Sequence, residues 1–220
     1  MRCAALVAVL ALLPGVAGAQ LSTPTDWKWR QDAPAPLAPG ATMTPGSWVF
    51  VQMPPGWHIT TGPGVLLYPG TNGDVEGNYS FEAEIFLFPG DSLEEFGVFA
   101  GGKAIDTGEP SYTAFVVRRD GRAAVEQRSG GRTTPIAGMT LADSAGPMAT
   151  AKEPVKKVIR VDVTATSVTM NVDGTQVAAV PRERVAVDGR FGFRVGKDMN
   201  LHVATLNVTR RLAPAPVRKD

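Results

Sequence analysis

The chain has 220 residues, 44% of them hydrophobic, with 22 Lys and Arg against 21 Asp and Glu and a formal net charge of +1. That balance lacks the basic excess or stripe of a nucleic-acid binder, so no nucleic-acid partner is expected. A single cysteine, Cys3, excludes a disulfide framework and a cysteine-ligated metal centre.

The N-terminus reads as a secretory signal over residues 1–19. Arg2 supplies the positive region, AALVAVLALL the apolar run, and Ala17-Gly18-Ala19 the small-residue cleavage site. A membrane span needs about 20 apolar residues, and Pro14 and Gly15 interrupt this run, so no membrane insertion is expected after cleavage. Cys3 precedes the apolar run, which argues against a lipid anchor at the cleavage site. With Arg2 gone, 21 basic residues face 21 acidic ones. Export without cysteines points to a bacterial periplasmic or secreted protein that stands on its core alone.

Residues 20–46 are rich in Pro, Ala and Thr and read as an extended N-terminal arm. Trp27 and Trp29 stand two apart, so in extended backbone they share a face and pin the arm to the body. From Trp48 the pattern is that of short strands with glycine and proline turns: SWVFVQM, GWHIT, VLLY. GNYSFEAEIFLFPG alternates Phe81, Ala83, Ile85 and Leu87 against Glu82, Glu84, Phe86 and Phe88, as a strand of a two-layer sandwich does. EEFGVFAGG is a further strand. YTAFVVRRDGRAAVEQRSGG and MNVDGTQVAAV predict hairpins about Asp120-Gly121 and Asp173-Gly174, dipeptides favoured where φ is positive. Between them, residues 130–154 are weakly patterned and predict a long flanking loop with at most one helical turn. The last strand, LHVATLNVT, is expected beside the first, near SWVFVQM, and residues 213–220 form a Pro-rich tail.

No helix-period segment and no fixed repeat appears. The predicted fold is all-β: a jelly-roll sandwich of two antiparallel sheets over residues 47–212. The strand order and the segments GNYSFEAEIFLF, YTAFVVRRDGRAAVEQRSGG, NVDGTQV and GRFGFRVGKDMNLHVATLNV resemble the concanavalin A-like lectin/glucanase (laminin G-like) superfamily. Within it the chain looks nearest to secreted bacterial 3-keto-disaccharide hydrolase-like domains. The resemblance implies a glycan or oligosaccharide partner held on a concave sheet. Laminarinase-type members carry Glu-x-Asp-x-x-Glu on that sheet. Here Phe81-Glu82-Ala83-Glu84-Ile85-Phe86 keeps two acids and replaces the third by apolar residues.

Retaining glycosidases need two carboxylates about 5 Å apart; the candidates are Glu82, Glu84 and Glu126. Strand parity assembles a polar strip from Glu82, Glu84, Arg118, Glu126, Arg128, Arg160 and Asp162. Of these Glu84, Arg118, Glu126, Arg128 and Arg160 are the expected ligand-binding residues, because sugars take paired hydrogen bonds beside a stacking surface. His58 and His202 lie far apart in sequence and fit no metal motif, so no metal is expected from histidine. No cofactor is expected, apart from a structural calcium ion drawing on Asp74, Asp198 and Asn200, where hard cations take 6–8 oxygens. The leading reading is a non-catalytic carbohydrate-binding domain. A glycoside hydrolase acting on a disaccharide or glucan, and an envelope protein-interaction domain, stay open beside it.

Overall fold

The computed structural model describes residues 24–32, 48–141 and 148–211; the signal segment and the C-terminal tail lie outside them. Among the described residues fifteen strands form two antiparallel sheets, and Arg182–Arg184 make a 3₁₀ turn. The seven-stranded sheet runs β13 (Thr175–Pro181), β12 (Ser167–Val172), β11 (Val155–Val163), β6 (Tyr79–Leu87), β15 (Asn200–Arg210), β3 (Trp57–Thr61), β2 (Trp48–Gln52). The eight-stranded sheet runs β1 (Trp27–Gln31), β4 (Val65–Pro69), β14 (Gly189–Val195), β7 (Glu95–Lys103), β8 (Ser111–Arg118), β9 (Arg122–Ser129), β10 (Arg132–Thr140), with the two-residue β5 (Asp74–Val75) on β14. The late strands β14 and β15 insert between early ones. This is a jelly-roll sandwich, as the alternation and turn spacing predict.

Period-two alternation explains which residues fill the space between the sheets. Phe81, Ala83, Ile85 and Leu87 of β6 and Ile159, Val161 and Val163 of β11 are at most 1% exposed. They face Phe96 and Val98 of β7, Phe115 and Val117 of β8 and Phe193 of β14 in one continuous core. Burying each large apolar side chain contributes about 1.5–3 kcal/mol. Trp27 and Trp29 join that core. Trp27 stacks on Phe193 at 5.3 Å and meets Trp57 at 5.1 Å, while Trp29 meets Trp48 at 4.8 Å. The arm thus contains an edge strand, and its tryptophans bridge the two sheets instead of facing a ligand.

Two local expectations need correction. The weakly patterned stretch 130–154 holds strand β10, paired antiparallel with β9. Its pattern is hidden by a bulge at Pro135/Ala137, and an edge strand tolerates proline because one side of its backbone needs no ladder partner. Within the same stretch residues 148–150 make a helical turn. Secondly, β15 pairs with β6 and β3, so the last long strand lies beside β3 and not beside β2.

The hairpin turns follow their residues. Asp173 (φ 51°) and Gly174 (φ 82°) form the two-residue connection of β12 and β13. Asp173 also accepts from Val158 N–H at 2.8 Å and from Lys157 Nζ at 2.6 Å, which neutralises a lysine that β11 turns inward.

Candidate ligand-binding face

The outer faces of the two sheets differ in kind. On the eight-stranded sheet Leu66, Tyr68, Phe99, Tyr112, Ala114, Val116 and Ala124 form a second buried apolar cluster. The connection after β7 closes over part of it. Ile105 packs into the cluster, Tyr68 donates to Asp106 at 2.6 Å, and Arg30 donates to the carbonyls of Ile105 and Thr107 at 2.8 and 2.7 Å. The outer face of the seven-stranded sheet is polar and half-exposed along β11, β6 and β15.

Register builds that face in rows. Asn171, Arg160, Glu82 and Asn207 are successive cross-strand neighbours from β12 to β15. Arg160 grips Asp162 through two hydrogen bonds of 2.9 Å and reaches Glu82 at 3.2 Å; Arg211 reaches Asp162 at 2.7 Å. The next row is Val158, Glu84 and Thr205, with Lys156 holding Glu84 at 3.3 Å. The following row is Phe86, His202, His58 and Val51. Phe88, just past the end of β6, meets the His58 ring edge-on at 5.6 Å. Half-buried rings therefore abut a ladder of hydrogen-bonding groups on one surface.

The structure divides the residues singled out from sequence. Glu82, Glu84, Arg160 and Asp162 come together on this face. Arg118, Glu126 and Arg128 belong to β8 and β9, on the outer face of the other sheet, and packed sheets stand about 10 Å apart. Strand parity reports inside or outside and is silent on which sheet, so the seven-residue strip is two separate groups. Glu126 therefore cannot pair with Glu84 across a glycosidic bond. Glu82 and Glu84 are each engaged by a cation, Arg160 and Lys156.

Glu126 has other company. It is 5% exposed, with Arg194 Nη1 at 3.8 Å and Arg122 Nη2 at 3.6 Å. Arg194 in turn binds Asp32 at 2.9 Å and Glu95 at 2.6 Å, and Tyr112 donates to Asp32 at 2.8 Å. Burial and the neighbouring Glu95 push the Glu126 carboxyl above the usual range. Arg128 is tied to the Gly130 carbonyl at 2.6 Å and to Thr133 Oγ1 at 3.1 Å, and Arg118 to Asp120 at 2.7 Å. This buried cluster draws on β14, β7, β8, β9 and the residue after β1, so no local spacing reveals it.

A third feature is an open cleft of about 750 Å³ lined by Asp74 to Asn78, Asp188, Gly189, Arg210 and Arg211. Two of its acids, Asp188 and Asp74, are occupied. Asp188 accepts a two-pronged bond from Arg182 and the Gly77 N–H, and Asp74 pairs with Arg190 at 3.2 Å. The expected calcium oxygens do not converge. Asp74 is held by Arg190, Asp198 lies 3.5 Å from Lys197, and among the described residues no group of three acidic, histidine or cysteine ligands comes together. This donor set does not fit a hard cation that takes 6–8 oxygens. The two histidines, in contrast, are direct cross-strand neighbours with ring centres 6.5 Å apart, despite 143 intervening positions.

No family model matches the chain, and no curated protein matches it. Solved structures do match its fold. Carbohydrate binding module CBM66 from Bacillus subtilis aligns at a TM-score of 0.57 and 11% identity, over 74% of this chain and 96% of that one. The exoplasmic/lumenal domain of VIP36 in its Ca2+-bound form aligns at 0.54 and 9% identity, over 89% of each chain. The Emp47p carbohydrate recognition domain aligns at 0.50 and 10% identity, over 86% and 90%. Among the described residues no helix is long and apolar enough to cross a membrane. With its two antiparallel sheets and interleaved late strands, this chain has the concanavalin A-like lectin fold.

Proposed function

We propose that the protein binds carbohydrate on the outer face of the seven-stranded sheet, as a non-catalytic module exported to the bacterial periplasm or beyond. One observation carries this reading: the Arg160, Glu82, Glu84 and Lys156 ladder directly abuts the half-buried rings of Phe86, Phe88 and His202. A sugar presents hydroxyls at its rim and C–H groups on its face, so it needs both kinds of surface side by side. The names of two structural neighbours, a carbohydrate binding module and a carbohydrate recognition domain, support the same reading. Glu82 and Glu84 are each already engaged by a cation, Arg160 and Lys156, instead of standing as a free acid pair, which favours binding over hydrolysis. Export rests on the N-terminal signal pattern. The isolated exposed apolar residues, Val49, Leu93 and Met139, give a protein-interaction reading less to stand on.

A glycan array tests this with wild type, Glu84→Gln, Phe86→Ala and, as an opposite-sheet control, Arg118→Gln. Binding lost in the first two variants and kept in the control is the expected result. Binding lost only in the control places the site on the other sheet. Binding accompanied by released product identifies a hydrolase, and no binding to any glycan rejects the proposal.

A further inference from the structure

The β2–β3 hairpin, residues 48–61, joins the seven-stranded sheet through a short ladder. Four residue pairs connect β3 to β15: Asn200 with Thr60, Leu201 with Ile59, His202 with His58 and Val203 with Trp57. Thr61 extends the junction with bonds to the Gly196 and Met199 carbonyls. Two histidines thus face each other within this ladder on its outer side, ring centres 6.5 Å apart. His202 Nε2 also lies 2.8 Å from the Pro55 carbonyl, in the hairpin's own turn.

Nothing around the pair compensates a positive charge. Both Nδ1 atoms are shut away from solvent without a hydrogen-bond partner. A carbonyl only accepts, so His202 Nε2 carries the proton and its Nδ1 is a bare lone pair. An imidazolium donates at both nitrogens, so charging either ring puts an N–H where no acceptor meets it, and a buried donor left unmade is costly. Asn200 Oδ1, closed off in the same block, bonds to neither ring. The charged groups facing the pair are few and already engaged. β2 and residues 53–56 carry no titratable side chain, and β3 carries only His58. On β15 the other one is Arg210, at the far end, donating to the Asp74 carbonyl. On β6 Glu82 and Glu84 are held by Arg160 and Lys156, and Lys156 is the cross-strand neighbour of Phe86, a further cation on the same row. In the connections Asp198 pairs with Lys197 at 3.5 Å and Asp91 faces Arg119. Burial, followed by the adjacent His202, accordingly lowers the pKa of His58.

We propose that the His58–His202 pair is a pH-sensitive latch: neutral, it lets β3 close on β15, and on acidification the charged rings part this ladder and loosen the β2–β3 hairpin while the rest of the sandwich stays folded. The sign follows from proton linkage. A solvated histidine titrates near 6.5, and His58 in the closed ladder titrates lower. The open state therefore binds more protons and gains weight as pH falls from about 6.5. Phe86 and His202 form the apolar end of the proposed sugar face, so acid also releases a ligand held there; that consequence alone rests on the carbohydrate reading.

The test is amide hydrogen exchange of the untagged full-length chain at pH 7.5 and pH 5, without sugar and corrected for the intrinsic rate at each pH, beside His58→Gln and His202→Gln. Opening of β3 and of residues 200–203 is expected to rise at least about fivefold in the wild type, the lower bound for one buried donor left unmade, while β8 and β11 hold. Both variants lose most of that rise. Should a variant fold poorly, an imidazole 15N titration of the wild type decides alone: two separate steps are expected, with the His58 ring charging below the ordinary histidine value. Exchange that ignores pH, that rises equally in every strand, or that rises in both variants as in the wild type overturns the proposal, as does a His58 ring that titrates at or above the ordinary value. With no sugar present, these outcomes are independent of the glycan array, which alone decides the carbohydrate reading.

Discussion

Arg194 offers the sharpest test of how the eight-stranded sheet is held together. Its guanidinium is 13% exposed and lies within 3.8 Å of three carboxylates, Asp32, Glu95 and Glu126. Replacing it by methionine keeps most of the volume and removes the charge and the donors. Removing one partner from a buried ionic cluster costs about 3–5 kcal/mol, because the remaining charge is left desolvated. For a domain of this size each kcal/mol shifts Tm by about 2–4 °C, so a fall of roughly 6–20 °C is expected at pH 7.5. The defect has a direction in pH. Burial and Glu95 already push the Glu126 carboxyl up and Arg194 opposes that, so without the cation stability returns as pH falls and Glu126 protonates. Urea denaturation followed by tryptophan fluorescence at pH 7.5 and pH 4 measures both. Hydrogen exchange of the β1 amides should rise in parallel, because Asp32 ties the end of that edge strand to the sheet. Arg118→Met is the control: its pair with Asp120 is more exposed, and such surface pairs contribute about 0–1 kcal/mol. A loss below about 1 kcal/mol, or an equal loss at both pH values, would refute the reasoning.

Other outcomes follow from the same structure. Glu126→Gln should stabilise increasingly as pH rises from 4.5 to 7. The folded-state pKa of Glu126 is raised, so the wild type loses stability as pH climbs through it. Thermal melts of both chains across that window show whether the gap widens. Phe81→Ala should cost about 3–5 kcal/mol by equilibrium denaturation, since Phe81 is 1% exposed and packs between Tyr79 and Phe115 with ring centres at 6.0 Å. Two glycine replacements separate backbone strain from crowding. Gly174 (φ 82°) has open space around a new Cβ, so Gly174→Ala should cost only the left-handed strain of about 1–2 kcal/mol. Gly56 (φ 91°) would place its Cβ 1.9 Å from the Val203 carbonyl oxygen, so Gly56→Ala should cost clearly more and disturb the β3–β15 pairing. Matched denaturation curves decide, and equal losses would contradict the distinction.

Much of this architecture is legible locally. The alternation of Phe81, Ala83, Ile85 and Leu87 against Glu82, Glu84 and Phe86 states which side of β6 is buried, and the structure agrees residue by residue. Asp173-Gly174 specifies a tight hairpin because both positions adopt positive φ. Strand β10 is not legible locally, because Pro135 and its bulge break the period-two signal. The tryptophans of β1 were visible as a pair, whereas their partners, Phe193, Trp57 and Trp48, come from distant strands.

The all-β class, the inward and outward faces of the main strands and the positions of two hairpins follow from local sequence, because these depend on neighbours two to four residues apart. Sheet membership, by contrast, emerges from the folded chain. It put Glu84 and Arg160 on one outer face and Glu126, Arg128 and Arg118 on the other. It also set His58 beside His202 and gathered Asp32, Glu95, Glu126 and Arg194 around one buried charge. The physical reason is that a strand's own residues set its pleat, while its place in a sheet depends on ladder partners and core packing contributed from far along the chain.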